Sequence, residues 1–348
     1  MVKIGKTTLI QFEIDLIQVS VTSSLRVSTS AILLLAAIED YLLGDPWGWI
    51  HPVQIIGWMI HHASNLALKF CAPGRQRRLA GVFLGLLTIT GSGYLGWTII
   101  EYATLIHPLL GFLLQVILLA SCFAGKSLRV AVYDVLQPCK TRNLVQARSR
   151  LAMYVGRDTN NLSHSQILRA LLETVAENSV DGVTAPLFYA VIGGFTPIGV
   201  VPLTLAYKAS STLDSMIGYF SEPYKDLGWF SAQLEDRLTW IPCRLSVLTL
   251  ALFSRNPVRV WNICRRDGIK DPSPNSGWSE AAYAAVLRVQ LGGENTYKGV
   301  VKQKPLLGDP EQPIAISKII QALNLTRNCF LIWMAIAILT NFIILLWQ

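Results

Sequence analysis

Leu79–Ile100 reads LAGVFLGLLTITGSGYLGWTII, 22 residues between Arg78 and Glu101 without a charge. A helix of about 20 residues crosses the ~30 Å hydrocarbon core of a bilayer, so this stretch is long enough to span. It has company. Residues 102–125 are uncharged, a run of 26 separates Asp181 from Lys208, and 21 uncharged residues follow Arg327. A shorter run, Val27–Ile38, makes a further segment if its helix continues through Glu39 and Asp40. Of the 348 residues, 52% are hydrophobic and 15% charged, against roughly 25% charged in soluble domains.

The fold class expected is all-α, a polytopic helical membrane protein with about four or five hydrophobic segments and helical loops at the cytoplasmic face. Candidate spans are 27–43, 79–100, 102–124 and 328–347. The apolar run 182–207 carries Gly193, Gly194, Pro197 and Pro202, poor residues for a helix interior, so it reads as a broken or re-entrant element. Residues 1–26 read as an accessory extension, because Glu13 and Asp15 interrupt their only apolar stretch and leave no signal-peptide core. Residues 27–348 then form one membrane domain. Strand signals are weak throughout.

The net charge is +8. Arg75, Arg77 and Arg78 precede the 79–100 span, while Lys126 and Arg129 follow the next. Positive residues favour the cytoplasmic side, which makes these two spans a hairpin with Glu101 outside. The expected location is the cell membrane, multi-pass, with the active face cytoplasmic. No Lys/Arg block with interleaved aromatics points to nucleic acid, and none is expected as a partner. The six cysteines include no CxxC pair and read as unpaired packing residues.

The chemistry concentrates after the hairpin. Glu173–Ala190 reads ETVAENSVDGVTAPLFYA, with Glu173, Glu177 and Asp181 four residues apart. On one helix face such like-charge pairs cost on the order of 0.2–0.5 kcal/mol each. A bound Mg²⁺, which takes oxygen ligands and bridges to phosphates, would offset that repulsion. Asn178 adds an amide beside the stripe. A solvated helix face is the plain alternative, weakened by the apolar run that follows at once. Beyond that run, YKASSTLDSMIGY supplies Lys208, Asp214 and Ser215, a phosphate-sized cation and a further metal ligand. Glu235 and Asp236, in QLEDRL, read by pattern as an exposed salt-bridged face. ASCFAGKS fits the phosphate-loop pattern only loosely, with a single glycine at the end of a span, so Lys126 reads as that span's cytoplasmic terminus. Asp45 and His51 lie in GDPWGWIHPV; no histidine spacing suits zinc.

Taken in order, DYLLGDPWGWIHPV, YVGRDT, ETVAENSVDGVTAPLFYAVIGG, YKASSTLDSMIGY, DPSPNSGWSEAA and LGGENTYKG resemble the adenosylcobinamide-phosphate synthase family of cobalamin biosynthesis (CobD/CbiB), over roughly residues 31–329. The sequence departs from the family pattern at Ser211 and Gln233, where asparagine and arginine are expected. The resemblance implies a multi-pass membrane ligase. It joins the propionate carboxyl of adenosylcobyric acid to (R)-1-aminopropan-2-ol or its O-phosphate at the expense of ATP with Mg²⁺. Carried onto this chain, it suggests Glu173, Glu177, Asn178, Asp181, Lys208 and Asp214 as catalytic residues, with Glu177, Asp181 and Asp214 on the metal. Asp45, His51, Arg157, Asp158, Ser215, Asp236 and Asn275 would contact substrate or phosphate. Partners would be the corrinoid, the aminoalcohol, the lipid bilayer and other membrane enzymes of cobalamin assembly. Two other classes share parts of the pattern. NSVDGVTAP imitates a membrane alcohol-phosphotransferase motif but lacks its first aspartate and its arginine, and a corrinoid transporter would also explain the spans.

Overall fold

The computed structural model describes residues 29–44, 51–219 and 221–347. The 1–26 extension and Asp45 lie outside the described residues. The described chain is helical apart from one small antiparallel hairpin. Three helical stretches are long and apolar enough to cross a membrane, namely Arg75–Ile106, Pro108–Lys140 and Ile316–Ile344.

Helix α1 covers residues 29–42 and runs through Glu39 and Asp40. After α2 (Pro52–Phe70) comes α3 (Arg75–Ile106), 32 residues and about 48 Å long. It continues straight through Glu101, and the chain reverses instead at His107–Pro108. Proline disfavours a helical residue before it and fits the first helical position, where no N–H is needed. His107 is accordingly extended, and its Nδ1 accepts the Leu109 N–H at 3.1 Å. Helix α4 (Pro108–Ala120) then returns along α3, and a short break leads to α5 (Gly125–Lys140).

The 26-residue apolar run is two helices. α8 (Ala185–Gly194) has 10 residues, about 15 Å, half the thickness of a hydrocarbon core. α9 (Val200–Ile217) packs back along it and against α3. The break falls at Phe195–Gly199, which holds Pro197 and has Gly199 at φ 92°; Gly193 and Gly194 close α8, and Pro202 sits in the first turn of α9. Close packing of α3 depends on small residues. A Cβ at Gly81 would sit 1.9 Å from the Leu227 carbonyl oxygen, and one at Gly96 would sit 2.5 Å from Leu205 Cδ1.

A larger body is built from α5, α6 (Leu144–Leu151), α7 (His164–Asn178), α10 (Trp229–Leu238), α11 (Trp240–Phe253), α12 (Pro257–Asp267), α13 (Ser276–Leu287) and the start of α14 (Ile316–Leu346). Its core includes Val135, Leu136, Leu171, Leu172, Tyr283 and Ile319. A second core joins α1, α4, α8 and α9 to the middle of α14 around Leu33, Leu119, Leu187 and Met334. Further along α14, Ile336, Leu339, Phe342 and Ile343 are exposed, as lipid-facing residues would be. All six cysteines are free and five are buried.

The hairpin pairs β1 (Leu291–Tyr297) with β2 (Val300–Leu307), Glu294 opposite Gln303 and Thr296 opposite Val301. Gly292 and Gly293, at φ 81° and 87°, carry the irregularity that separates Leu291 from the regular ladder. A two-stranded ribbon is marginal alone. This one is tied to the helical body by side chains that belong to the site.

Candidate active site

Ser163 starts α7 with a capping box. Its hydroxyl accepts the Gln166 N–H at 3.3 Å, and the Gln166 side chain accepts the Ser163 N–H at 2.8 Å. Leu168, Leu171, Leu172 and Val175 bury the opposite face. After Asn178 the backbone widens into a π-helical turn, Ser179–Thr184, held where the Thr184 hydroxyl donates to the Ser179 carbonyl at 3.1 Å. A π-turn changes the angular step per residue, so Glu173, Glu177 and Asp181 do not continue one straight stripe.

Each of the three meets a different environment. Glu173 is 2% exposed at its side chain, its Oε2 2.5 Å from Arg157 Nη2. Arg169 lies one turn earlier, with Nε 3.8 Å from Oε1. The same Oε1 accepts the Gly292 N–H at 2.9 Å. Arg157 also donates to Asn295 Oδ1 at 2.8 Å, and Arg169 to the Glu294 carbonyl at 2.6 Å. Asp158 accepts the backbone N–H groups of Lys298 and Gly299 at 3.1 and 2.8 Å, closing the hairpin turn. Glu173, Arg157 and Asp158 therefore clamp β1–β2 onto α7.

Glu177 is turned to solvent, yet protein crowds around its carboxylate. That combination marks the wall of a recess. Burial raises its pKa above the usual carboxylate range; Lys304 and Arg157 oppose the shift, and Asp271 and Glu173 add to it. Asp181 is half-buried, and its pKa is raised well above normal, first by burial and then by Glu235, Glu177 and Asp214, with Lys208 opposing. Asp214 is pushed up to about 7 by burial, then by Asp236 and Glu177. The α8–α9 hairpin produces this meeting. It returns Lys208 and Asp214 to the start of the excursion, within electrostatic reach of Asp181.

Glu235 and Asp236 join the same recess, which corrects the exposed-face reading of QLEDRL. Glu235 is buried, accepts a short hydrogen bond from the Thr239 hydroxyl, and is raised to about 7, chiefly by burial. Asp236 accepts from Ser273 Oγ at 3.3 Å. A pattern of six residues, under two turns, cannot show which side of a short helix a distant body will cover. Asn275 is buried and bridges by structure. Its Nδ2 donates to the Asp236 carbonyl at 2.8 Å and its Oδ1 accepts from Arg244 Nη1 at 2.9 Å. The Arg244 guanidinium lies between the Trp240 and Trp278 rings, 4.9 and 4.6 Å from their centroids.

Arg244 was not singled out by sequence reasoning, nor were Glu280, Lys304 and Asp271. Glu280 is fully buried on α13 with Lys304 Nζ of β2 at 3.3 Å. Lys304 is held charged by Glu280, Glu177, Asp271 and Glu173, attractions that outweigh its own burial. DPSPNSGWSEAA carries Asp271 and Glu280, so a signal existed, but only the fold places them opposite Glu177. Several predicted residues turn elsewhere. Asn178 is exposed and donates to the Thr174 carbonyl at 2.9 Å, and Ser215 is exposed and donates to Thr212 at 2.9 Å. His51 caps α2, its Nδ1 accepting the Val53 N–H at 3.3 Å. Lys126 donates to the carbonyls of Leu42 and Leu43 at 2.6 and 2.7 Å, so it caps α1.

Among the described residues, no three His, Cys, Asp or Glu side chains stand close enough to hold a metal ion by themselves. Glu177, Asp181 and Asp214 thus do not close into a triad. The donors are nevertheless all carboxylate oxygens, Glu177 exposed and Asp181 and Asp214 half-buried, and they repel one another. Such a set fits Mg²⁺, which keeps several waters and takes one or two carboxylates together with substrate phosphates.

Three apolar helices, a broken apolar hairpin and an acidic recess at its polar end define a helical membrane protein with a chemically equipped site. The family model described as CobD/Cbib protein matches residues 33–326. The chain belongs to that family. It is 56% identical over 304 residues to the Cobalamin biosynthesis protein CobD of Synechocystis sp., covering 86% of this chain and 89% of that protein. It is 38% identical to the CobD of Citrobacter koseri and 36% to the Cobalamin biosynthesis protein CbiB of Salmonella typhimurium, each over 86% of this chain and 92% of the relative. No solved structure matches the chain.

Proposed function

We propose that this chain is an enzyme of cobalamin biosynthesis. It would join the propionate carboxyl of adenosylcobyric acid to the amine of (R)-1-aminopropan-2-ol or its O-phosphate, consuming ATP. The observation that carries the reading is the meeting of Asp181 and Asp214, from opposite arms of the α8–α9 hairpin, with Glu177, Glu235 and Lys208. An amide forms from a carboxylate only after activation. The carboxylate oxygen takes the γ-phosphoryl of ATP and releases ADP; the amine then attacks the acyl carbon and expels phosphate, losing a proton to a base.

The chain's own residues suit these steps. Lys208 offers a compact positive charge for a phosphoryl group. A carboxylate of this recess that the metal leaves free would take the proton from the incoming ammonium. Glu177, Asp181 and Asp214 would hold Mg²⁺, which supplies charge neutralisation during phosphoryl transfer. Glu173 acts at one remove, fixing Arg157 and the hairpin that presents Lys304. The basic residues flanking the spans support a cytoplasmic active face.

The test is conversion of adenosylcobyric acid by the purified chain with ATP and each aminoalcohol in turn. Asp181→Asn and Asp214→Asn should each abolish product while leaving membrane insertion intact. No product from the parent chain sinks the reaction, and near-normal turnover in both variants sinks the site. Uptake of labelled corrinoid into vesicles without covalent change would point to transport instead.

A further inference from the structure

On the other side of the π-turn from the acidic recess, α1, α5 and α14 leave a groove of about 560 Å³. Leu34 and Ile38 of α1, Leu128 of α5 and Phe330, Leu331 and Met334 of α14 line it. Leu34, Ile38 and Leu331 are themselves exposed, so the groove opens sideways between α1 and α14. Ala335, Leu339 and Phe342, on the same side of α14 as Leu331, are exposed in turn. The direction of opening is therefore into the bilayer rather than into water.

One end of the groove is charged. Arg129 and Arg327 line it there, one from each side. Arg129 is held in place, its guanidinium 4.1 Å from the Tyr41 ring centroid and its Nη2 donating to the Tyr41 carbonyl at 2.8 Å. Among the described residues its Nε and Nη1 make no further hydrogen bond. Arg327 is exposed and donates to its neighbour Asn328 at 3.4 Å, a long bond. Asp40 also lines the groove, but it is buried and accepts the Lys126 N–H at 3.4 Å. Arg129 belongs at the same time to an adjoining recess of about 380 Å³ with Lys126, Tyr133 and Asp134. An apolar trough and a polar recess thus share one arginine at their boundary.

The heights agree with this partition. The charged end lies at residues 40–42 of α1, the first turn of α5 and Arg327 of α14, all of which end or begin apolar runs. From Arg327 to Met334 is about 10 Å along the helix, so the trough runs from the charged end to the edge of the second core. Arginines at an apolar–polar boundary bind phosphate with their planar fork.

We propose that this groove binds one anionic phospholipid. An acyl chain lies along Leu34, Ile38 and Met334, the phosphodiester meets Arg129 and Arg327, and the headgroup enters the recess beside Lys126. The inference concerns binding alone and stands whether or not the ligation proposed above is correct. The full chain in detergent is mixed with phosphatidylglycerol and phosphatidylcholine of equal chain length, and retained lipid is counted by native mass spectrometry. Phosphatidylglycerol should be retained about 25-fold over phosphatidylcholine. Each guanidinium accounts for roughly fivefold, the scale of one basic side chain at an anionic surface. Arg129→Gln with Arg327→Gln should erase the preference. Should that pair fail to fold, Arg327→Gln alone, at an exposed position, should still lower it. Leu331→Trp should reduce retention of both lipids by filling the trough, with no change of charge. Equal retention of the two lipids by the parent chain overturns the proposal. So does an unchanged preference in a folded Arg327→Gln variant, or a photo-cross-linking residue at position 331 that labels residues 1–28 in place of lipid.

Discussion

Replacing Glu173 by glutamine removes one charge and almost no volume, at a point where two arginines and a backbone N–H converge. The side chains of Glu173 and Arg157 are 2% and 8% exposed, with 2.5 Å between Oε2 and Nη2. The amide oxygen can still accept the Gly292 N–H, so that hydrogen bond survives. What is lost is the counter-charge of a buried guanidinium, and the new NH₂ group points a donor at a donor. Removing one partner of a buried pair costs about 3–5 kcal/mol. Arg169 is a further cation within reach, which favours the upper part of that range. Combining Glu173→Gln with Arg157→Met should cost less than the sum of the two, by about 0.5–3 kcal/mol, the usual coupling of contacting residues. Chemical unfolding in detergent micelles, followed by tryptophan fluorescence, measures both quantities. Trypsin supplies a local reading, because Lys298 and Lys302, already exposed but held in the paired hairpin, become cleavable when a hairpin released from α7 unfolds locally. If Glu173→Gln unfolds within about 0.5 kcal/mol of the parent and its hairpin stays protected, the clamp described above is not what holds β1–β2.

Two further outcomes can be checked. Asp214 has its pKa raised in the folded chain to about 7, so between its unfolded value and 7 the folded state binds the extra proton. Stability contributed by this group should be full below about pH 4 and fall as pH rises through 7, by at most about 1.4 kcal/mol per pH unit; Asp214→Asn should flatten that part of a melting-temperature profile, and an unaltered slope would contradict the assigned environment. Gly81→Ala places a Cβ 1.9 Å from the Leu227 carbonyl oxygen. It should destabilise by about 1–3 kcal/mol as an overpacked contact, whereas Gly91→Ala, on the same helix with nothing within 4 Å of its Cβ, should be neutral or stabilise by up to about 1 kcal/mol.

The apolar runs were legible because a bilayer imposes a length, and 79–100 needs no neighbour to be recognised. Chain reversal was less legible. Glu101 looked like the turn, but a carboxylate at the end of a span tolerates a helix, whereas His107–Pro108 does not. Asp181 and Asp214 were readable as a pair once the glycines and prolines between them implied a break. Glu235 was misread and Glu280 passed over for one reason. Their burial is created by segments tens of residues away, and local pattern carries no record of that. The same holds for β1, whose sequence has poor strand propensity and whose stability comes from Arg157, Arg169 and Asp158.

Helix α14 has 31 residues, and its two halves do different jobs. Ile319 and Ala322 complete the core of the helical body, and the Tyr283 hydroxyl meets Thr326 at 2.7 Å, while Leu339 and Phe342 face outward. Every element that α14 packs against is synthesised before it. During translation the body therefore waits, with Leu168, Tyr283 and their neighbours uncovered, until residues beyond 316 leave the ribosome. The same rod must by then be entering the bilayer. Membrane insertion of the C-terminal half and closure of the helical body's core become a single event in biogenesis, and a nascent chain arrested before that point would present an open apolar seam to chaperones.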